Sequence, residues 1–215
     1  EHTVSVCGET DVFSTTVDEI IPCPCCPVDF LVLEDETITT STTYSGQDLC
    51  IRGTLTIDSD VTFLDANISL DQGAHVIITP NHTLKVQLSY LYGCEYLWKG
   101  ITVQPAASIE VDNSTVEDAV SAVTIMDKAK RIIINGSTFD NNLRAVYMPP
   151  VFDDQTVGLH KIQKNTFSCT DGELKPISDN ISASAAIGIS GVEIHNFYSG
   201  FIINGPNVDE GYEGT

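Results

Sequence analysis

Basic residues are scarce in this chain of 215 residues. It has 10 lysines and arginines against 30 aspartates and glutamates, which gives a net charge of −20 at neutral pH. Binding to DNA, RNA or anionic lipid depends on clustered lysine and arginine side chains, so the composition argues against these three classes of partner. The same acidity suits an extracellular protein in salty or calcium-rich surroundings, where cations screen the repulsion.

Long hydrophobic runs and helical periodicity are missing too. No stretch approaches the ~20 apolar residues of a membrane-spanning helix. No signal peptide is visible, so we expect the numbering of a secreted form to begin after its removal. No window carries a sustained apolar period of 3.6 residues. The hydrophobic fraction of 42% is still enough for a substantial core, so disorder is not expected.

Short strands follow one another closely from Gln47 onward. Each shows alternation or a brief β-branched run, bounded by glycine, aspartate, asparagine or proline. The first six predicted strands are Leu49–Ile51, Thr54–Ile57, Val61–Leu64, Asn67–Leu70, His75–Ile78 and Thr83–Val86.

An internal repeat determines how these strands are arranged. The segment Ile109–Ile125 recurs about 23 residues later as Ile132–Met148, and short strands at a fixed period of this length are typical of a solenoid. The matched positions are Ile109 with Ile132, Val111 with Ile134, Ser114-Thr115 with Ser137-Thr138, Val116 with Phe139, Val120 with Leu143, and Ala122-Val123 with Ala145-Val146.

Three short strands and three turns in each repeat predict an all-β fold, a right-handed parallel β-helix. Residues 47–203 would form about seven coils, and a rod about 35 Å long at the spacing of paired strands. A β-sandwich of short strands is the alternative, and the regular period and scarcity of hairpin dipeptides disfavour it.

Two regions do not follow the repeat, and they set the predicted organisation. Residues 1–46 carry a Cys/Pro cluster and are interpreted as an N-terminal cap or linker, because a solenoid needs atypical ends. Residues 47–215 are predicted as the β-helix. A loop excursion is expected at about 149–180, where Pro149-Pro150 and Thr170-Asp171-Gly172 interrupt the pattern.

Seven cysteines indicate an oxidising compartment. The spacing of the cluster Cys23-Pro24-Cys25-Cys26-Pro27 does not match a tetrahedral metal site, so disulfides are the favoured interpretation. The pairing stays open, and the odd number leaves one thiol unpaired or bonded to another chain. The disulfide candidates are Cys7, Cys23, Cys25, Cys26, Cys50, Cys94 and Cys169.

The segment Leu91–Val103 carries the pattern C-x-x-x-W-x-G-I-x-V. It resembles a turn of the right-handed β-helix regions in large secreted surface proteins of Bacteroidota, which commonly carry a type IX secretion sorting domain. The stretches Ala107–Val111 and Ser114–Ala119 are similar to the coil that follows. The resemblance covers residues 47–204 and implies an adhesin-like or structural role at the cell surface.

No convincing catalytic constellation emerges from the sequence. The strongest local candidate is Asp153-Asp154, with His160 and Lys161 nearby, but the pair lies in the predicted excursion and is interpreted as a solvated loop or a weak calcium candidate. Trp98, the only tryptophan, is expected in the core or at a corner rather than as a sugar-stacking platform.

Recurrent polar residues near the predicted turns have two interpretations each. Acidic residues there would form a solvated surface or bind calcium between coils; they are Asp58, Asp60, Asp65, Asp71, Asp112, Asp118 and Asp140. Asn-x-Ser/Thr triplets would be glycosylation sites, or asparagines that turns require for left-handed backbone and stacked hydrogen bonds. The triplets begin at Asn67, Asn81, Asn113, Asn135 and Asn180.

The sequence therefore predicts a secreted, structural or adhesive β-solenoid without a cofactor, calcium being the one ion considered. It would associate end to end, or with neighbouring domains of a longer parent chain. The alternatives are a carbohydrate-active β-helix enzyme, of the polysaccharide lyase or glycoside hydrolase kind, and a non-catalytic carbohydrate-binding module.

Overall fold

The computed structural model describes residues 26–149, 159–171 and 174–178, together with the backbone of the strands at 3–6, 9–12, 190–194 and 201–204. The fold is a parallel β-solenoid, as the repeat predicted. Strands are numbered in chain order, and β1 (Thr3–Val6) pairs with β2 (Glu9–Val12) in an antiparallel hairpin. Within the described residues no helix is long and apolar enough to cross a membrane.

The remaining strands form three parallel sheets of seven strands each. Sheet 1 contains β3 (Leu31–Glu34), β6 (Asp48–Arg52), β9 (Asn67–Leu70), β12 (Tyr90–Gly93), β15 (Thr115–Glu117), β18 (Thr138–Asp140) and β21 (Thr166–Ser168). Sheet 2 contains β4 (Thr37–Ile38), β7 (Thr54–Ile57), β10 (His75–Ile78), β13 (Gly100–Val103), β16 (Val123–Ile125), β19 (Arg144–Met148) and β22 (Ser190–Ile194). Sheet 3 contains β5 (Thr42–Ser45), β8 (Val61–Leu64), β11 (Thr83–Gln87), β14 (Ser108–Asp112), β17 (Arg131–Asn135), β20 (Leu159–Gln163) and β23 (Phe201–Asn204). The chain visits the sheets in the order 1, 2, 3, so every turn of the solenoid adds one strand to each.

The sequence repeat matches the register of the sheets, because residues one repeat apart are paired on adjacent strands. Ile109 pairs with Ile132, Val116 with Phe139, and Val123 with Val146, as the alignment predicted. The pleat turns alternate side chains inward, so these three apolar pairs stack in the core.

The core is a continuous column of aliphatic side chains between the three sheets. Ile109, Val111, Ile132 and Ile134 are fully buried, whereas the residues between them on the same strands are only partly covered. Burying one such side chain stabilises the fold by about 1.5–3 kcal/mol. The stacking leaves the outward side chains of each sheet to interact with solvent or a partner.

A column of residues in the left-handed conformation turns the chain from sheet 3 into sheet 1. Asp65 and Asn113 have φ values of 51° and 47°, and asparagine and aspartate tolerate this region better than most residues. The column consists of Gly46, Asp65, Leu88, Asn113, Gly136 and Lys164. The left-handed backbone conformation thus recurs at the same position of successive coils, although the residue type at that position varies.

The solenoid differs from the predicted boundaries at two places. Its first strands lie within the segment 1–46, because Leu31 pairs with Leu49 and Thr42 pairs with Val61. The expected excursion at 149–180 contains β20 and β21, which continue sheets 3 and 1. These strands escaped the alignment because the distance along the chain between equivalent positions is not constant. It is 19 residues from Asp48 to Asn67.

Candidate functional site

The structure contains a disulfide between two of the candidate cysteines. Cys26 is bonded to Cys50, with their Cα atoms 5.3 Å apart, so the segment before β3 is tied to β6. This excludes Cys26 as a metal ligand. Cys94 also forms a disulfide. Cys169 is a free, half-buried thiol.

Several predicted residues cannot be compared with the structure. Cys7, Cys23, Cys25, Asp153, Asp154 and Asn180 lie outside the described residues. Within the described ranges, no group of three or more histidine, cysteine, aspartate or glutamate side chains is arranged to hold a metal ion. Calcium binding therefore stays a prediction.

The described asparagines of the Asn-x-Ser/Thr triplets have structural roles. Asn81 and Asn113 adopt left-handed backbone, as turn residues should. Asn135 donates to Asp112 over 2.7 Å and accepts from the side-chain amide of Gln163 over 2.8 Å. Asn67 donates to Asp48 over 3.1 Å. Whether any of them carries a glycan stays a prediction.

A ladder of buried serines runs along the corner between sheets 3 and 1. The backbone N–H of Ala66 donates to Ser89 Oγ over 3.1 Å, and that of Ser89 donates to Ser114 Oγ over 3.1 Å. The N–H of Ser114 donates to Ser137 Oγ over 3.2 Å, and that of Ser137 to Asn165 Oδ1 over 2.8 Å. Stacked asparagines were expected in this role, yet asparagine is used only at the last step.

Trp98 occupies the core, as predicted. It is fully buried, and its indole Nε1 donates to the backbone oxygen of Glu117 over 2.7 Å. Its ring is therefore not available to stack on a sugar, and it fixes the backbone at the end of β15.

A second polar cluster lies on the outward side of sheet 1, and we call it the tyrosine–carboxylate face. It consists of Tyr90, Tyr92, Glu117, Asp118 and Asp140. Alternation places both tyrosines outward on β12, while Leu91 between them is buried. Their rings stack with centroids 4.9 Å apart and planes inclined by 21°. The Tyr90 hydroxyl donates to Glu117 Oε2 over 2.6 Å.

Sheet register brings the carboxylates of this face together. Glu117 is paired with Asp140 on the next coil, and adjacent strands lie about 4.8 Å apart. Asp118 follows β15 in left-handed conformation, with a φ of 60°. Its side chain is only 4% exposed, and its Oδ1 has no hydrogen-bond partner.

The two paired carboxyl groups have pKa values displaced in opposite directions. Burial, together with the nearby Asp118 and Asp140, raises the pKa of Glu117 above its usual range although Tyr90 donates to it. Burial also acts to raise the pKa of Asp140, but hydrogen bonds from Thr170, Ser168 and the backbone outweigh it and the pKa lies below its usual range. At Asp118 burial dominates and the pKa is raised, despite the contact with Lys175.

Residues 174–178, which we call the strap, close one side of this face. Lys175 Nζ donates to Asp118 Oδ2 over 2.7 Å and to the backbone oxygen of Gly93 over 2.8 Å. The N–H of Leu97 donates to the Pro176 oxygen over 2.9 Å. Leu174 and Ile177 pack beside a small apolar cluster at the corner between sheets 1 and 2. The strap therefore joins three coils at this corner.

Sequence patterns indicate only part of this face. Asp118 and Asp140 belonged to the recurrent acidic turn residues, whereas Tyr90, Glu117 and Lys175 were not singled out. Outward alternation around Leu91 and Val116 was the available signal for the first two. No local sequence pattern indicates a role for Lys175, which lies 57 residues from Asp118 in sequence.

Comparisons with known proteins leave the chain without an assigned family. No protein-family model matches it, and neither a curated protein nor a solved structure matches it.

Proposed function

We propose that this protein is a structural or adhesive β-solenoid of the extracellular surface, a rigid acidic rod that associates end to end. The observation that carries the proposal is the continuity of its internal stacking. The aliphatic core and the serine ladder pass from coil to coil, and close-packed interiors of this kind resist deformation.

A location outside the cell is supported by the cysteines and by the resemblance to secreted Bacteroidota surface proteins. Disulfides such as Cys26–Cys50 persist mainly in oxidising compartments. The net charge of −20 keeps such a surface soluble and disfavours nonspecific association. Detection of the protein on intact cells by protease shaving would test this location.

End-to-end association is supported by the first coil. Among the strands that the structure describes, β3, β4 and β5 are the terminal ones of the three sheets, and Leu31 and Val32 are 48% and 40% exposed. Terminal strands offer unpaired N–H and C=O groups to another strand, and head-to-tail contacts that do not close give filaments. The partner would be a second copy or a neighbouring domain of a longer parent chain.

Sedimentation velocity over a concentration series, with and without calcium, tests this association. The Asp35 N–H donates towards β6, so alternation points the Val32 N–H away from it, towards the terminal edge. Val32→Pro removes that donor, whereas Val32→Ala keeps it and serves as the control. We expect concentration-dependent oligomers of the wild type and of Val32→Ala, and fewer of Val32→Pro. A monomer at every concentration in the presence of calcium would refute association.

A carbohydrate-active enzyme is the second candidate, and the opposed pKa shifts of Glu117 and Asp140 favour it. Paired carboxyl groups whose surroundings displace their pKa values apart are typical of acid and base roles, and retaining glycosidases hold such groups about 5–5.5 Å apart. Asp140 is the weaker member, since its Oδ1 already accepts from Thr170 and Asn141.

Incubation with a panel of polysaccharides separates the two candidates. Release of reducing ends that is abolished in Glu117→Gln would establish the enzyme. Binding without release would indicate a carbohydrate-binding module. Neither binding nor release is expected if the solenoid is structural.

A further inference from the structure

The tyrosine–carboxylate face combines an aromatic platform with surplus negative charge. Tyr90 is 40% exposed, and its ring lies stacked beside that of Tyr92. The Tyr90 hydroxyl is directed at Glu117, so ring and carboxylate are held in fixed positions relative to each other. A ligand that meets this surface encounters a π face and a carboxylate together.

The negative charge of this face is only partly compensated. Among the described residues, Lys175 is the cation that forms an ion pair with its carboxylates, and it contacts Asp118. Glu117 and Asp140 have hydrogen-bond donors but no such ion pair there. The buried Oδ1 of Asp118 has no hydrogen-bond partner. Like charges this close repel one another, and a bound cation would relieve that repulsion.

We propose that the tyrosine–carboxylate face binds arginine side chains of a basic partner protein or peptide. A guanidinium group stacks on an aromatic ring and pairs with a carboxylate through its planar donors, so one side chain can use both Tyr90 and Glu117. The net charge of −20 would steer such a partner towards the molecule.

This inference names the partner for the adhesive role proposed above and rests on that role. The two proposals can be refuted independently, because end-to-end association is measured by sedimentation and arginine recognition by peptide binding. Val32 lies on β3, whereas the face lies on β12, β15 and β18, so we expect Val32→Pro to leave arginine binding unchanged.

Fluorescence polarisation with a labelled arginine nonapeptide, at physiological salt, tests the inference. Tyr90→Ala removes the ring, and Glu117→Gln removes the charge but keeps an acceptor for the Tyr90 hydroxyl. We expect each change to weaken binding about fivefold or more. Tyr90→Phe keeps the ring and should retain most of the affinity. Thermal melting of each variant verifies that it is folded.

Asp60→Asn is the matched control for charge. Asp60 is exposed at the corner between sheets 2 and 3 and accepts from the Thr83 N–H over 2.9 Å, which an asparagine oxygen can also do. We expect less than about a twofold loss of affinity for this variant, and weaker binding of a lysine nonapeptide by the wild type. Equal losses in Asp60→Asn and Glu117→Gln would show nonspecific attraction and overturn the proposal. Competition by neutral oligosaccharides at this face would overturn it as well.

Discussion

At the corner between sheets 3 and 1, a single side chain determines whether a buried backbone N–H has a hydrogen-bond acceptor. Ser89 and Ser114 lie one coil apart, and each supplies the acceptor for a buried N–H of the coil before it. Ser114 Oγ also lies 2.9 Å from the Asp112 carbonyl oxygen and donates to it. A hydroxyl that both accepts and donates therefore suits this position better than an aliphatic side chain of similar size.

Ser114→Ala removes one step of the ladder. The N–H of Ser89 then lacks its acceptor, and an unsatisfied buried donor costs about 1–3 kcal/mol. We expect the urea midpoint to fall accordingly. Thr115→Ala, at the neighbouring outward and only half-buried position, should change stability by less than about 0.5 kcal/mol. Equal effects of the two substitutions would show that the ladder does not stabilise the corner.

Glu117 makes the stability of the protein depend on pH. Its pKa is higher in the folded chain than in the unfolded chain, so the folded state holds the proton more tightly. Its contribution to folding is therefore complete below the unfolded pKa and is lost as the pH rises through the folded pKa.

Glu117→Gln removes this titration. At pH 7 the variant should melt above the wild type, and the difference should disappear towards pH 4, where Glu117 becomes protonated. Melting curves from pH 3.5 to 8 measure this. A difference that is the same at both ends of the range would exclude Glu117 as its cause.

At the scale of elements, close approach of neighbouring coils restricts which residue can begin a strand. Gly100 opens β13 with a φ of 110°, and a Cβ added there would lie 1.6 Å from the Ser121 oxygen. This is the glycine of the Trp98–Gly100 motif that carried the resemblance. The motif is therefore a packing requirement of the coil.

Gly100→Ala should destabilise the protein by more than about 3 kcal/mol, since backbone atoms of the next coil would have to move. Gly73→Ala is the comparison. Gly73 has a φ of 71° and open space around its Cα, so only left-handed backbone strain of about 1 kcal/mol applies. Chemical denaturation measures both variants, and a cost for Gly100→Ala no larger than that for Gly73→Ala would show that the coils do not restrict this position.

One ion pair, between Lys175 and Asp118, joins the strap to the tyrosine–carboxylate face. Lys175→Met would leave the carboxylate of Asp118 buried with neither of its oxygens paired to a cation, at a cost of about 1–3 kcal/mol. Lys175→Met with Asp118→Asn should recover part of that loss, because the buried charge is gone. A double-mutant cycle by urea denaturation gives the coupling energy. A coupling energy of zero would mean that the pair does not hold the strap.

The sequence predicted the elements of the middle coils well because their lengths are nearly equal. Equivalent serines are separated by 23 residues between Ser114 and Ser137, which produced the visible repeat. The separation is 28 residues from Ser137 to Asn165, so β20 and β21 were assigned to a loop. The contact between Lys175 and the tyrosine–carboxylate face could not be predicted, since it depends on how the chain returns after that longer coil.

At the scale of the whole molecule, the stacked coils produce a rod with a strongly acidic surface. Its three sheets are held by hydrogen bonds between coils, and its core is continuous along the axis. Such a stack has a continuous core along its axis and outward-facing side chains on every sheet. Both properties suit a structural or adhesive component of a cell surface.

Small-angle X-ray scattering over a concentration series, with and without calcium, tests end-to-end association of the rod most directly. We expect a constant cross-section and a maximum dimension that grows in steps of one rod length. Growth of the cross-section together with length would indicate side-by-side aggregation. A particle of unchanged length at all concentrations would contradict the proposal.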